Sequence, residues 1–136
     1  MHLEQVSLRL QKLELDYQLA GPASEREILG AERRLNVTLP KQVKQFYESY
    51  DGLRVHDPHL EILSVAKLNL TSSDHLHFAT VDFDHRLVFD VSHLNPAGQW
   101  DIKADDGFLI TRTMASLWSV KIWAWLENRK RIWCEL

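Results

Sequence analysis

Two short helical patterns, separated by a stiff break, constrain the fold of this chain more than any other feature. The stretch "ASEREILGAERRLNVTLPKQVKQFYESYDG" has apolar residues at helical spacing on both sides of "NVTLP". Ser24 and Glu27 match a capping box, so we expect a helix over residues 24–35 that ends at Asn36. Pro40 suits the first turn of the next helix, and Asp51-Gly52 supplies its stop.

Outside this unit the hydrophobic period changes twice. Residues 3–14 have helical spacing, and we expect a helix there, followed by an extended approach to Gly21-Pro22. After Gly52 the pattern alternates, and we predict strands over 60–65, 76–83, 86–92, 99–104 and 108–112. Tight reversals fit at Asp84-His85 and at residues 105–107, so neighbouring strands should pair antiparallel in a meander.

The helical period returns from Thr113 with a row of large apolar side chains. At 100° per residue, Trp123 falls nearly opposite the buried stripe that includes Trp118 and Trp125. Either Trp123 faces outward as an interface anchor, or the helix lies between the sheet and the first helix and is buried on both sides. The whole pattern predicts an α+β fold in one domain over residues 1–136, with an antiparallel sheet of about five strands flanked by amino-terminal helices and one carboxyl-terminal helix.

Composition limits the classes of partner. A chain of 136 residues with 45% hydrophobic residues can bury one core without a disulfide or a structural metal. Cys134 is the only cysteine, which fits a reducing compartment, and the amino terminus lacks the apolar run of a signal peptide or membrane span. We therefore expect a cytoplasmic protein. A formal net charge of −3 gives no general attraction to nucleic acid or anionic lipid.

A helix-turn-helix that reads DNA is the first alternative for residues 24–51. Lys41, Lys44 and Gln45 offer the donors that such a reader needs. The same unit carries four acidic side chains: Glu25, Glu27, Glu32 and Glu48. Because these repel phosphates, we predict that the two helices cover a sheet and that nucleic acid is not the partner.

A metal site or an enzyme active site is the second alternative. His75 and His77 should project to the same side of a strand, with His85 and His93 close in sequence. A zinc site needs further ligands in register, and Cys134 is remote. The chain also lacks a Gly-rich phosphate loop and a Gly-x-Ser-x-Gly nucleophile motif. We predict no cofactor, no metal and no enzymatic activity, although the sequence leaves a metal at the two histidines open.

Carboxylates form the third candidate site. Residues 74–106 contain seven aspartates but only Arg86 and Lys103 as basic residues. These carboxylates can act as a paired acid and base, hold a divalent cation, or serve as turn residues on a solvated face. We expect an acidic, solvated face, and our candidate protein-binding residues are Asp82, Asp84, Asp101, Asp105, Asp106 and Trp123.

The segment "PASEREILGAERRLNVTLPKQVKQFYESYDGL" resembles the SUKH superfamily of Smi/Knr type, which includes fungal cell-wall-synthesis regulators and bacterial toxin-immunity proteins. The similarity lies in a capped acidic helix, a Leu-x-Val-x-Leu-Pro bridge, and an aromatic helix that ends in a Gly turn. The residues that carry it are Ile28, Glu32, Leu35, Val37, Leu39 and Pro40. The later segments "FATVDFDHRLVFDV" and "GQWDIKA" and the final helix are also similar, so the resemblance covers about residues 20–127.

This resemblance implies a binding role, with two departures from the family pattern. Members commonly have a second Gly after the third helix, where this chain has Leu53, and Gly-rich turns where it has Asp84-His85. The implied function is that of an immunity protein that neutralises a toxin by direct binding, through a basic toxin surface that an acidic face attracts. A regulatory scaffold of the same fold, with no toxin partner, is the alternative.

Overall fold

The computed structural model describes residues 3–135, which begin with helices, continue through a sheet and return to a helix. The first three helices are α1 (Gln5–Lys12), α2 (Glu25–Leu35) and α3 (Lys41–Ser49). The closing helix consists of α4 (Met114–Ser116), a π-helical segment (Leu117–Ile122) and α5 (Trp123–Asn128). None of the helices within the described range is long and apolar enough to cross a membrane.

Eight strands form one antiparallel sheet, which confirms the α+β prediction but exceeds the five strands expected. The strands are β1 (Tyr17–Leu19), β2 (Leu53–Val55), β3 (Leu60–Ile62), β4 (Asn69–Leu70), β5 (His75–Val81), β6 (His85–Asp90), β7 (Asp101–Ala104) and β8 (Leu109–Thr111). Their order is β1-β2-β3-β5-β6-β7-β8, and β4 pairs with β5 beside this path. The three additional strands, β1, β2 and β4, have two or three residues each and lie outside the alternating segments from which the five strands were predicted.

Local hydrogen bonds fix the unit of α2 and α3 as the sequence predicts. The Glu27 N–H donates to Ser24 Oγ at 3.1 Å, and the Ser24 N–H donates to Glu27 Oε1 at 3.0 Å. Asn36 ends α2 in the left-handed conformation with φ 55°. The bridge is held by Glu32, whose Oε2 accepts from the Leu39 N–H at 2.7 Å. An otherwise unpaired amide is thereby satisfied just before Pro40 begins the next helix.

The helices cover one face of the sheet, and their buried side chains form one cluster with it. Phe46 and Tyr47 of α3 are fully buried, and so are Phe78 of β5 and Phe89 of β6. The Tyr47 hydroxyl donates to the Leu63 carbonyl at 2.8 Å, so its polar atom is satisfied inside the core. The two helices therefore cover the sheet, as we predicted when the acidic side chains of residues 24–51 argued against a DNA reader.

The closing helix departs from regular α-helical geometry at the π-helical segment. A π-helix bonds residue i to i+5, so it rotates less than 100° per residue and changes the direction of the side chains that follow. Trp123 is only 7% exposed and packs 5.3 Å from Trp118 between ring centroids. The Arg9 guanidinium of α1 covers it at 4.4 Å from the ring centroid. Of the two alternatives for Trp123, the structure selects burial between the closing helix and α1.

Candidate functional site

Three turns meet at one end of the sheet. They are residues 56–59 between β2 and β3, 82–84 between β5 and β6, and 105–107 between β7 and β8. Leu60 pairs with Val81, and Leu87 pairs with Ala104, so the antiparallel register brings these turns to the same end of the sheet. We refer to residues 56–59, 82–84 and 105–107 as the turn surface.

Four of the predicted binding residues lie on the turn surface. Asp82, Asp84, Asp105 and Asp106 are all exposed, and the Asp84 side chain is 83% exposed. Within residues 3–135, none of the four forms an ion pair with a Lys or Arg side chain. Asp106 Oδ1 accepts from the Phe108 N–H at 3.0 Å, so this carboxylate stabilises the turn and is also exposed to water. The result is a local concentration of negative charge facing water.

A small cleft separates the turns at 82–84 and 105–107. Its volume is about 130 Å³, and it is lined by Asp84, His85, Arg86, Ala104, Asp105, Asp106 and Trp133. The Trp133 ring stacks on His85 with centroids 4.3 Å apart, and Asp84 Oδ1 lies 3.4 Å from His85 Nε2. Small-molecule sites usually enclose roughly 300–1,000 Å³ and exclude water. A smaller cleft lined by solvated carboxylates is better suited to contact with another surface than to acid-base catalysis.

The other two candidate residues, Asp101 and Trp123, lie away from the turn surface. Asp101 begins β7, so the length of the strand, roughly 10 Å, separates it from the turn at 105–107. It is only 8% exposed, and it accepts from Asn95 Nδ2 at 2.9 Å and Arg112 Nη1 at 3.3 Å. Trp123 is buried beneath Arg9. The structure therefore divides the predicted set into four residues that share a surface and two that do not.

Asp90 shows that the acidic section of residues 74–106 is not one continuous face. Asp90 is buried, and its Oδ2 accepts from Lys103 Nζ at 2.8 Å. Burial alone would raise the pKa of Asp90, but Lys103 and the hydroxyl and amide of Ser92 lower this pKa well below its usual range. Asp90 and Asp101 form internal ion pairs, so the exposed carboxylates of this section without a Lys or Arg partner in the described residues are Asp74 and the four aspartates of the turn surface.

His75 and His77, the two histidines considered as metal ligands, do project to the same side of β5. His77 Nε2 lies 3.0 Å from the Ala79 carbonyl and 3.1 Å from Thr80 Oγ1, so this nitrogen already has protein partners. Burial holds the pKa of His77 below its usual value. In the part of the chain that the structure describes, no group of three or more His, Cys, Asp or Glu side chains is arranged to hold a metal ion.

Phe83 is the residue of the turn surface that sequence reasoning missed. The predicted strand over 76–83 ends at Val81, and the reversal placed at Asp84-His85 instead occupies residues 82–84. Phe83 has φ 71° and follows Asp82 at φ 49°, so two consecutive residues without Gly adopt the left-handed region. This conformation costs about 1–2 kcal/mol per residue. Phe has a strong strand propensity, so the sequence pattern extended the predicted strand through Phe83. Only the flanking residues Asp82 and Asp84 indicated a turn.

His59 holds the Phe83 ring in place on the turn surface. The two rings stack with centroids 4.3 Å apart and planes at 15°, and the Phe83 N–H donates to His59 Nδ1 at 2.9 Å. Burial lowers the pKa of His59, which favours the uncharged ring whose Nδ1 can accept this bond. The His59 carbonyl accepts from Trp125 Nε1 at 2.9 Å, so the support extends to α5. Phe83 is nevertheless 74% exposed, the largest exposed fraction among the large apolar residues described.

Comparison with known proteins supplies the family. No curated protein matches the chain. The model of the SMI1 / KNR4 family (SUKH-1) matches residues 22–111, which run from two residues before the cap of α2 to the end of β8. The match spans most of the chain and includes the α2–α3 unit, the strand pair β5–β6 and the turns at 82–84 and 105–107. The chain therefore belongs to the SMI1/KNR4 (SUKH-1) family, within the SUKH superfamily.

Proposed function

We propose that this protein is a non-enzymatic, single-domain binding module that acts as an immunity protein and neutralises a toxin by covering its working surface. Family membership supports a protein-binding role of this kind. The observation that carries the proposal is the group of four aspartates on the turn surface that have no Lys or Arg partner within the described residues. The cytoplasm, with its reducing conditions, is the compartment that we propose for this interaction.

Electrostatic attraction is the proposed basis of recognition. A toxin that cleaves nucleic acid needs a positively charged cleft, because its substrate carries one negative charge per phosphate. Opposite potentials steer two proteins together and fix their relative orientation. Asp82, Asp84, Asp105 and Asp106 are exposed and have no Lys or Arg partner within the described residues, so they meet such a cleft without first losing an ion pair of that kind. Asp101 and Trp123, in contrast, are proposed to act by supporting the sheet and the closing helix.

The experiment uses the product of a toxin gene encoded beside this one in its native genome. We expect the two purified proteins to form a complex at micromolar concentration, and we expect co-expression to restore growth to cells that the toxin otherwise arrests. A catalytically inactive toxin variant that keeps its surface should still bind. Failure to form any complex at micromolar concentration would remove the proposal.

A regulatory scaffold of the same fold is the second candidate function. The same acidic turn surface suits a cellular protein with a basic surface, with no toxin involved. Gene neighbourhood separates the two functions, because only the immunity function requires an adjacent toxin gene. Retention on immobilised DNA that weakens steeply with salt would instead indicate a nucleic-acid binder, which we do not expect from the charge of the turn surface.

A further inference from the structure

We propose that Phe83 is the anchor of the binding interface and that its partner offers an apolar pocket bordered by Lys and Arg side chains. This inference rests on the proposed protein-binding function and deepens it by assigning the centre of the contact. Four observations on the turn surface carry it: the exposure of the ring, its backbone conformation, its support by His59 and the charges around it.

The exposure of Phe83 has no explanation within the described part of the chain. Its ring is 74% exposed, whereas the neighbouring aromatic residues Trp125 and Trp133 are buried. A large apolar side chain at the tip of a turn gains little from folding, since most of its surface stays in water. Aromatic residues in such positions are enriched at the centres of protein interfaces.

The backbone conformation makes Phe83 costly to keep at this position. A turn with consecutive positive φ values favours Asn or Asp followed by Gly, and Asp82 already supplies the first residue of such a pair. Gly at position 83 would remove the steric conflict between Cβ and the backbone. The chain instead retains an exposed phenyl ring in a strained conformation, which fits a residue kept for contact rather than for folding.

His59 fixes the ring in advance of binding. One face of Phe83 stacks on the imidazole at 4.3 Å between centroids, and the Phe83 amide is bonded to His59 Nδ1. His59 is itself tied to Trp125 of α5. A side chain that is already ordered loses little conformational entropy when it enters a pocket, so more of the contact energy appears as affinity.

The charges around the ring indicate the chemistry of the partner. Asp82 and Asp84 flank Phe83 in the same turn, and the adjacent turn adds Asp105 and Asp106. The arrangement has an apolar centre and an acidic rim, which is the usual organisation of a protein interface. Its complement is an apolar pocket with a basic rim. A nonpolar pocket with an acidic rim would repel this surface and is excluded as a partner by the same reasoning.

The test compares three variants in binding to the toxin that the preceding experiment uses. Phe83→Gly removes the ring and relieves the strain, Phe83→Tyr keeps a ring, and Leu8→Ala removes an apolar side chain of similar exposure, 66%, on α1. We expect F83G to raise the Kd at least about tenfold, which is typical of an anchor residue, and F83Y and L8A to change it less than about threefold. We also expect F83G to keep or raise the Tm, because the binding residue opposes stability.

The outcomes separate this inference from the proposed function. If the wild-type protein binds and F83G binds equally well, the anchor assignment is wrong while the binding function stands. If F83G lowers the Tm by more than about 5 °C, Phe83 is a structural residue and the assignment is also wrong. If the wild-type protein binds no toxin, the proposed function fails, and the assignment that rests on it fails with it.

Discussion

At the scale of single residues, a few positions control the geometry of the α2–α3 unit and its connection to the sheet. Glu32 is a partly buried residue of α2, and its carboxylate closes the bridge by accepting the Leu39 N–H. Gly52 follows α3 and has φ 108°, a conformation that side chains rarely adopt. The family pattern contains both positions, and in this structure each has a local physical reason.

Replacing Glu32 should weaken the bridge between α2 and α3. Glu32→Ala removes the acceptor of a charged hydrogen bond, and we expect it to lower the free energy of unfolding by about 1–2 kcal/mol. Glu32→Gln keeps an acceptor oxygen and should cost less. Urea unfolding measures both, with Glu48→Ala on the exposed side of α3 as the control. Equal losses for E32A and E48A would show that the bridge bond contributes nothing specific.

Two glycines offer a matched pair with opposite expected effects. A Cβ at Gly52 would lie 2.9 Å from the Ile62 carbonyl oxygen, and its φ is unfavourable for alanine, so Gly52→Ala should destabilise the fold by about 2 kcal/mol or more. Gly30 lies inside α2 with open space around its Cα, so Gly30→Ala should stabilise the fold by roughly 0.5–1 kcal/mol. Urea unfolding of both variants is the measurement. A loss of stability in G30A would contradict the open space at that position.

At the scale of elements, ion pairs on the face of the sheet opposite the main core join neighbouring strands. Asp90 of β6 binds Lys103 of β7, and Asp101 of β7 binds Asn95 and Arg112. Val88 lies between these groups and is fully buried although it is outside the main core cluster. Buried charges of this kind are costly unless they remain paired, so the pairing of β6 with β7 depends on ionisation.

The Asp90 pair predicts how stability depends on pH. The pKa of Asp90 is lower in the folded protein than its ordinary value of 3.8, so the unfolded chain binds the proton more tightly. The stabilisation is therefore fully present above about pH 5 and is lost as pH falls through 3.8 and below. Asp90→Asn should remove on the order of 2 kcal/mol at pH 7 and much less only near about pH 1.5, because the folded protein keeps this carboxylate charged well below pH 3.8.

The control for Asp90 is Asp74→Asn, which changes an exposed aspartate outside any ion pair within residues 3–135. Chemical denaturation at pH 7 and at about pH 1.5 compares both variants with the wild-type protein. If D90N lowers the free energy of unfolding by the same amount at both pH values, the effect comes from altered side-chain packing and not from the charge of Asp90.

At the scale of the whole molecule, one face of the sheet supports the core and one end of the sheet carries the exposed charge. The helices bury the inner face, so folding and the proposed binding use different parts of the protein. A net charge of −3 is modest, but four exposed aspartates lie together on the turn surface. Such a field acts mainly on the rate at which a charged partner arrives.

Neutralising two charges of the turn surface should slow association with the toxin. Asp84→Asn with Asp106→Asn should lower the association rate constant by roughly tenfold at low ionic strength, and the difference should shrink near 0.5 M salt. Asp74→Asn with Glu48→Gln changes the net charge equally at other sites and serves as the control. Stopped-flow mixing measures the rates. Equal slowing by both pairs would assign the effect to net charge and not to the turn surface.

Local sequence determined those parts of this protein in which neighbouring residues settle the backbone. The capping box at Ser24, the left-handed end at Asn36, the cap at Pro40 and the antiparallel order of the five predicted strands all follow from short-range chemistry and period. The same local patterns carried the family resemblance that the comparison confirmed. They also placed four aspartates at turns, because Asp bonds readily to nearby backbone amides.

Tertiary structure alone decided which of the candidate residues share a surface. The register of the sheet brought the turns at 82–84 and 105–107 together and removed Asp101 to a buried ion pair. The π-helical segment rotated Trp123 inward, because its side chains do not follow the 100° interval assumed from sequence. Contact with His59, which lies 24 residues earlier, fixed Phe83 in a turn that its own propensity opposes. Long-range packing outweighed local preference at each of these positions, so they could not be predicted from the chain by itself.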